Sequence, residues 1–139
     1  NNAGIYLDTG KTAATVTEEE ILQTFHVNTL APLLGAAKGA QVISLSSGMG
    51  QLSEMEGGTP AYRISKTALN AVTRILAAEL AGQSIRIHSV CPGWVKTDMG
   101  GRSAPRTPAQ GADTPIWLAG GGAGDATGGF WHERAPIPW

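Results

Sequence analysis

Strand-like and helix-like segments alternate along this chain, and the alternation constrains the fold more than any other feature of the sequence. Short apolar runs at 41–45, 84–90 and 129–132 predict strands. Helical patterns lie before and between them, from Thr17 to about Asn28 and at 30–38, 61–81 and 108–118. Such alternation predicts βαβ units, and therefore an α/β fold with a parallel sheet, in which residues 1–139 form one domain.

The helix predicted at 61–81 has the clearest periodicity in the chain. Leu69, Val72, Leu76 and Leu80 recur at helical spacing, so we expect them to form its buried face. The helix that begins near Thr17 carries a start signal instead, because Glu20 follows the threonine by three positions in the pattern of a capping box.

Composition excludes several classes of function. The formal net charge is −1, which gives no basic surface for a nucleic acid. A single cysteine excludes a disulfide framework, and His26, His88 and His132 share no metal-ligand spacing, so we expect no metal site. No apolar run is long enough to span a membrane, and no signal segment is visible. We therefore expect a cytoplasmic protein that binds neither membranes nor nucleic acid.

Tyr62 and Lys66 stand out as a chemical pair. Four residues apart on a helix, they lie on one face and one turn apart. A phenol with a pKa near ~10 is a poor acid or base at neutral pH, and a nearby ammonium can lower that pKa by ~1–3 units. The spacing alone is also typical of an ordinary pair on a helix surface, so its meaning depends on the rest of the sequence.

Further motifs surround this pair in a fixed order. Asn1-Asn2-Ala3-Gly4, Asn28, Ser46-Ser47-Gly48, Tyr62-x-x-x-Lys66 and Pro92-Gly93-x-Val95-x-Thr97 follow one another along the chain. The series resembles the short-chain dehydrogenase/reductase family over nearly the whole chain, and residues 91–99 resemble its carbonyl-reductase branch. The resemblance implies the C-terminal half of a Rossmann-type doubly wound parallel sheet, truncated at its N-terminal side.

The resemblance implies four catalytic residues. Tyr62 would exchange a proton with the substrate oxygen, and Lys66 would lower the pKa of Tyr62 and hold the nicotinamide ribose. Ser47, in preference to Ser46, would hydrogen-bond the substrate oxygen. Asn28 would complete a proton relay behind Lys66, although an asparagine at a helix end also commonly satisfies backbone groups.

A second set of residues would contact the cofactor, which the resemblance gives as NADP or NAD. Besides Tyr62 and Lys66, it comprises Asn2, Ala3, Gly4, Pro92, Gly93, Val95 and Thr97. The substrate would be a small carbonyl compound or alcohol, with 49–59 and 99–107 as the rims of its pocket. Trp94 could line that pocket or simply pack beside the strand.

Two departures from the family pattern accompany the resemblance. The family's glycine-rich phosphate loop and its cofactor selector would lie upstream of Asn1, which implies that the chain is a fragment lacking three β/α units. Its first strand should then present an open edge. Only nineteen positions separate Asn28 from Ser47, fewer than is usual, so Asn28 could be displaced from the site.

Two alternatives to a reductase stay open at this point. The chain could be a non-catalytic remnant that acts as an interaction or scaffold module through its apolar edge. It could also use the same Tyr/Lys pair in an epimerase or dehydratase, although little chain follows Thr97 to build a substrate domain. Whether the protein is a monomer or a homo-oligomer is not indicated.

Overall fold

The computed structural model describes residues 4–25, 27–28 and 40–139. Its elements are α1 (Glu18–Phe25), β1 (Gln41–Leu45), α2 (Pro60–Glu79), β2 (Arg86–Val90), α3 (Pro108–Ala119), β3 (Gly129–His132) and β4 (Ala135–Pro136). The predicted α/β class is confirmed, and five of the predicted elements agree with the structure to within two residues. The helix predicted at 30–38 lies outside the described residues, as does His26.

The described strands form one mostly parallel sheet in the order β1-β2-β3-β4. β1 pairs in parallel with β2, β2 pairs in parallel with β3, and the hairpin partner β4 runs antiparallel to β3. The sequence analysis missed β4, because the two residues of its turn, Glu133 and Arg134, are not typical of a tight hairpin. Both nevertheless adopt positive φ, 48° and 62°. Among the described strands, β1 lies at the sheet edge.

Helix α1 begins as predicted. Thr17 N donates to Glu20 Oε2 at 2.9 Å, and Glu20 N donates to Thr17 Oγ1 at 3.2 Å, which confirms the capping box. The α-helix is described to Phe25, and Val27 and Asn28 are in a π-helical conformation, which agrees with the predicted end near Asn28. The side chain of Asn28 is hydrogen-bonded to the main chain of Ile5.

The buried face of α2 is largely polar, so the predicted apolar face is only partly correct. Leu69 is almost fully buried, but Val72, Leu76 and Leu80 are only half-buried. Two side-chain hydrogen bonds join the helix to the strands instead: Ser46 Oγ to Asn70 Oδ1 at 2.6 Å, and Thr73 Oγ1 with Ser89 Oγ at 2.8 Å. Hydrogen bonds are directional, whereas apolar contacts are not. These two bonds therefore fix the position of α2 along the sheet.

Apolar side chains from the strands and from α3 fill the interior below these polar contacts. Ile87, Val90, Leu118 and Phe130 are each at most 1% exposed. Of the helices that the structure describes, none is both long and apolar enough to cross a membrane. The apolar side chains therefore form the interior of the fold, and the polar groups lie at one end of the sheet.

Candidate active site

The predicted catalytic residues gather where the parallel strands end. β1 ends at Leu45, directly before Ser46 and Ser47, and β2 ends at Val90, directly before Cys91. Helix α2 starts at the same edge, because it returns from the carboxyl end of β1 to the start of β2. Its first two turns therefore carry Tyr62 and Lys66 to the place where parallel α/β sheets bind ligands.

Lys66 lies beside Tyr62 as the four-residue spacing requires. Its Nζ is 5.7 Å from the centre of the Tyr62 ring and donates to the main-chain oxygen of Leu45 at 3.0 Å. Lys66 is only 4% exposed, and this burial lowers the pKa of its ammonium from 10.5 to about 8. Lys66 thus supplies a buried ammonium whose bond to Leu45 O is the one hydrogen bond of its side chain to the described residues.

The pKa of Tyr62 is raised above its usual value of 10.0. Burial is the largest cause and raises the pKa, the hydrogen bond with the Ser47 side chain lowers it, and electrostatic interaction with Cys91 and Tyr6 raises it further. Lys66 is expected to lower this pKa, but in this structure its ammonium donates to Leu45 O, and burial of the phenolate outweighs any such lowering, so the net pKa is raised. The ring of Tyr6 packs against that of Tyr62, with centroids 4.5 Å apart.

The two adjacent serines have different surroundings. Ser46 is buried and donates to Asn70 Oδ1, so its hydroxyl is used inside the structure. Ser47 caps the short 3₁₀ turn Gly48–Gly50, where its Oγ accepts from Met49 N at 3.2 Å, and it reaches the Tyr62 phenol. Only Ser47 therefore faces the phenol from which a proton would be transferred.

The 3₁₀ turn is held directly on α2. Gly50 O accepts from Thr67 Oγ1 at 3.1 Å and from Asn70 Nδ2 at 3.2 Å. The approach is so close that a Cβ on Gly50 would lie 2.7 Å from the main-chain carbon of Lys66. These contacts fix Ser47 relative to Tyr62, and neither Gly50 nor Asn70 was singled out from the sequence, since nothing local marks them.

Asn28 lies behind the pair, fully buried. Its side chain donates to Ile5 O at 2.9 Å and to Ser65 Oγ at 3.0 Å, and it accepts from Ile5 N at 2.7 Å. A Cβ on Gly4 would lie 3.5 Å from Asn28 Oδ1 and 3.7 Å from Lys66 Nζ, so Gly4 leaves space beside the ammonium. Of the other predicted cofactor contacts on this side, Asn2 and Ala3 lie outside the described residues.

The segment after β2 is shaped by close packing. Gly93 has φ +76°, and a Cβ there would lie 2.6 Å from Arg106 Cδ, so only glycine fits. Val95 forms a parallel bridge with Arg106, and exposed Thr97 accepts from Gly100 N at 3.1 Å. Pro92 joins this turn to Cys91, whose Sγ accepts from Gly48 N and Gly93 N.

The remaining aromatic and imidazole groups lie outside the Ser47–Tyr62–Lys66 group. Trp94 is 57% exposed and donates to Gly100 O, so it projects from the turn rather than packing inside. His88 is buried and accepts from Trp131 Nε1 at 3.0 Å, while His132 Nδ1 is 2.8 Å from Cys91 O. Over the described ranges 4–25, 27–28 and 40–139, no group of side chains could hold a metal ion.

The relatives found by comparison with known proteins are described as reductases. A short-chain family model described as "Enoyl-(Acyl carrier protein) reductase" matches residues 1–115. Carbonyl reductase [NADPH] 1 of Sus scrofa is 45% identical over 62 residues, covering 42% of this chain and 22% of that protein. The Mus musculus protein of the same name is 38% identical over 92 residues, covering 60% and 33%.

Two solved structures resemble the fold over almost its full extent. Carbonyl reductase Sniffer of D. melanogaster has a TM-score of 0.87 at 34% identity, and the match covers 100% of this chain and 64% of that one. NADPH-bound carbonyl reductase from chicken fatty liver has a TM-score of 0.81 at 26% identity, covering 99% and 64%. The chain thus spans less than two thirds of these structures, and only a fifth to a third of the curated relatives named above.

Proposed function

The chain belongs to the short-chain dehydrogenase/reductase family, and we propose that the protein reduces a small carbonyl compound, or oxidises the matching alcohol, with a nicotinamide cofactor. One observation carries the proposal. A buried lysine, a tyrosine whose phenol keeps its proton and a serine that reaches that phenol meet at the carboxyl end of the sheet. These are the groups needed to protonate an oxygen that gains charge.

In the direction of reduction, Tyr62 gives its proton to the carbonyl oxygen. Its raised pKa keeps the phenol protonated throughout the neutral range, so the acid is ready before the oxygen gains charge. Ser47 donates a hydrogen bond to the same oxygen and stabilises the developing negative charge. Lys66 stabilises the phenolate left behind, because its ammonium lies 5.7 Å from the ring centre.

The residues beside Lys66 fit a bound nicotinamide cofactor, which would supply the hydride for the carbonyl carbon. Gly4 presents no side chain where a Cβ would approach Lys66 Nζ, which leaves room for a sugar hydroxyl beside the ammonium. The nicotinamide ring would be held by the segment after β2, through Pro92, Gly93, Val95 and Thr97. The cofactor would also be contacted by Asn2 and Ala3. NADP is favoured over NAD, because the relatives include NADPH-dependent carbonyl reductases and a structure with NADPH bound.

Asn28 would contribute mainly through position. Within the described part of the chain, its side chain bonds to Ile5 N, Ile5 O and Ser65 Oγ, which supports a role in holding these groups in place. Its part in a proton relay stays a prediction of the resemblance.

The test uses the protein expressed from its complete gene. Oxidation of NADPH is followed with a panel of aldehydes, ketones and quinones, and Tyr62→Phe is compared with Tyr6→Phe. Loss of the Tyr62 hydroxyl should lower kcat about 10²–10⁴-fold without changing the melting temperature. Tyr6→Phe removes the neighbouring hydroxyl from a ring in the same contact, and it should keep turnover within a few-fold.

Other outcomes separate the alternatives. Unchanged turnover in Tyr62→Phe would contradict the assignment of the acid. Conversion of substrate without net consumption of NADPH would indicate an epimerase or dehydratase. A folded protein that self-associates and turns over no carbonyl compound would favour the interaction module.

A further inference from the structure

Asp8 caps the helix that carries Tyr62, although the two residues are far apart in the sequence. Its Oδ2 accepts from Ala61 N at 2.7 Å and from Tyr62 N at 3.3 Å. The residue is fully buried, and its other oxygen, Oδ1, has no hydrogen-bond partner among the described residues. Burial of a carboxyl oxygen without a hydrogen-bond partner costs free energy. We therefore expect Asp8 to have a role beyond ordinary helix capping.

The local sequence cannot cap α2 by itself. Thr59 precedes the helix in the left-handed conformation, with φ 46°, and its side chain makes no capping hydrogen bond. Thr59 Oγ1 is itself buried without a partner among the described residues. Since Pro60 has no N–H, the first donors that need an acceptor are those of Ala61 and Tyr62, which are the two that Asp8 satisfies.

The segment that presents Asp8 is fixed at several points. Asn28 binds both main-chain groups of Ile5, the Tyr6 ring packs on the Tyr62 ring, and Lys11 O accepts from Thr59 N at 2.9 Å. The segment and the start of α2 are therefore tied together at several points. Within this set of contacts, Asp8 is the one that satisfies the first free N–H groups of the helix.

Resting on the proposed function, we propose that Asp8 is a positioning residue for the reaction: it fixes the main chain of Tyr62 so that the phenol stays within reach of Ser47. Asp8 touches neither substrate nor cofactor in this role. Its oxygen accepts from the first free N–H groups of the helix, where the dipole of the helix favours an acceptor. The buried, unpartnered Oδ1 is the energetic cost of that arrangement.

The experiment compares Asp8→Ala, Asp8→Asn and Thr17→Ala in the protein expressed from its complete gene. Asp8→Ala should lower kcat about tenfold or more, because small misplacements of a catalytic group are costly, with the KM for NADPH unchanged within twofold. Asp8→Asn keeps an oxygen acceptor of the same shape and should recover most of kcat. Thr17→Ala removes the cap of α1 instead, and should lower the melting temperature but leave kcat within twofold.

A shorter polar residue provides a second variant should Asp8→Ala fail to fold. Asp8→Ser keeps a polar group in the buried site, but its hydroxyl is one bond too short to bridge both N–H groups, so it should share the loss of kcat. Either variant with a kcat within twofold of the wild type would overturn the proposal. So would a loss in Thr17→Ala equal to that in the Asp8 variants.

The same measurements distinguish failure of the Asp8 proposal from failure of the proposed function. If the unmodified protein reduces carbonyl compounds and Tyr62→Phe is inactive while the Asp8 variants are normal, only the role of Asp8 is wrong. If the unmodified protein shows no turnover, the proposed function itself fails.

Discussion

Gly50 lies directly against the main chain of Lys66. A Cβ on this glycine would be 2.7 Å from the Lys66 carbonyl carbon and 2.8 Å from its Cβ. Since these neighbours belong to a helix backbone, they cannot move away as the end of a flexible side chain could. The closeness sets the distance between the turn that carries Ser47 and the helix that carries Tyr62.

Gly50→Ala should therefore damage both stability and catalysis. The methyl group must push the turn from α2, which we expect to lower the free energy of unfolding by about 1–3 kcal/mol and kcat by about tenfold or more. Gly57→Ala is the matched control, because a Cβ there meets no atom within 4 Å. Denaturant unfolding and steady-state kinetics measure the two effects, and a normal Gly50→Ala enzyme would contradict the steric argument.

The two adjacent serines should respond in opposite ways to alanine. Ser46→Ala leaves buried Asn70 Oδ1 without its donor, so unfolding free energy should fall by about 1–3 kcal/mol while turnover stays within a few-fold. Ser47→Ala should leave stability nearly unchanged and lower kcat about 10²–10³-fold. Comparing unfolding curves with kcat for both variants tests the assignment. The reverse pattern would move the role to Ser46.

Lys66 should make the folded protein less stable at neutral pH. Its pKa is lowered to about 8 in the folded state from 10.5, so the unfolded chain binds this proton more strongly. Stability should consequently rise as the pH increases from about 8 to 10.5, and Lys66→Met should remove this rise. At pH 7 the variant should be more stable by about 1–3 kcal/mol, and inactive.

Urea unfolding at pH 7 and above pH 9 measures the effect of Lys66. Exposed Lys96→Met provides the control, for which neither the stability nor its pH dependence should change. A destabilised Lys66→Met protein at pH 7 would show that the ammonium contributes more through its bond to Leu45 O than its burial costs.

His88 should make the protein sensitive to acid. Burial is the largest cause of the lowering of its pKa below 6.5, so on acidification the unfolded chain takes up this proton before the folded protein does. Stability should fall as the pH decreases below 6.5, and protonation of Nδ1 would also break the bond from Trp131. His88→Gln should flatten the fall; midpoints of urea unfolding between pH 7 and 5, measured for the variant and the unmodified protein, give the comparison.

Elements and residues that are marked by a local pattern could be predicted from the sequence. β1 was predicted from five consecutive residues, and α3 was predicted at 108–118, one residue short of its observed end. Tyr62, Lys66 and Ser47 were identified through the order of several short motifs, and the structure brings these three together. Their catalytic roles stay predictions until the variants are measured.

The missed features depend on partners that are distant in the sequence. Asp8 caps a helix more than fifty positions later, and Asn70 faces the turn only because the helix and β1 are packed together. The polar face of α2 could not be predicted either. Apolar periodicity predicts that the leucines are buried, and it carries no information on hydrogen bonds from β1 and β2. Likewise, no glycine or asparagine marks the turn before β4, where two charged residues adopt positive φ.

Cys91 Sγ accepts hydrogen bonds from Gly48 N at 3.1 Å and from Gly93 N at 3.4 Å. A single sulfur atom therefore links the loop that would recognise the substrate to the loop that would orient the nicotinamide. A change that displaced this sulfur would therefore be expected to move both loops at once, whereas a change on the far side of either loop would leave the shared contact in place.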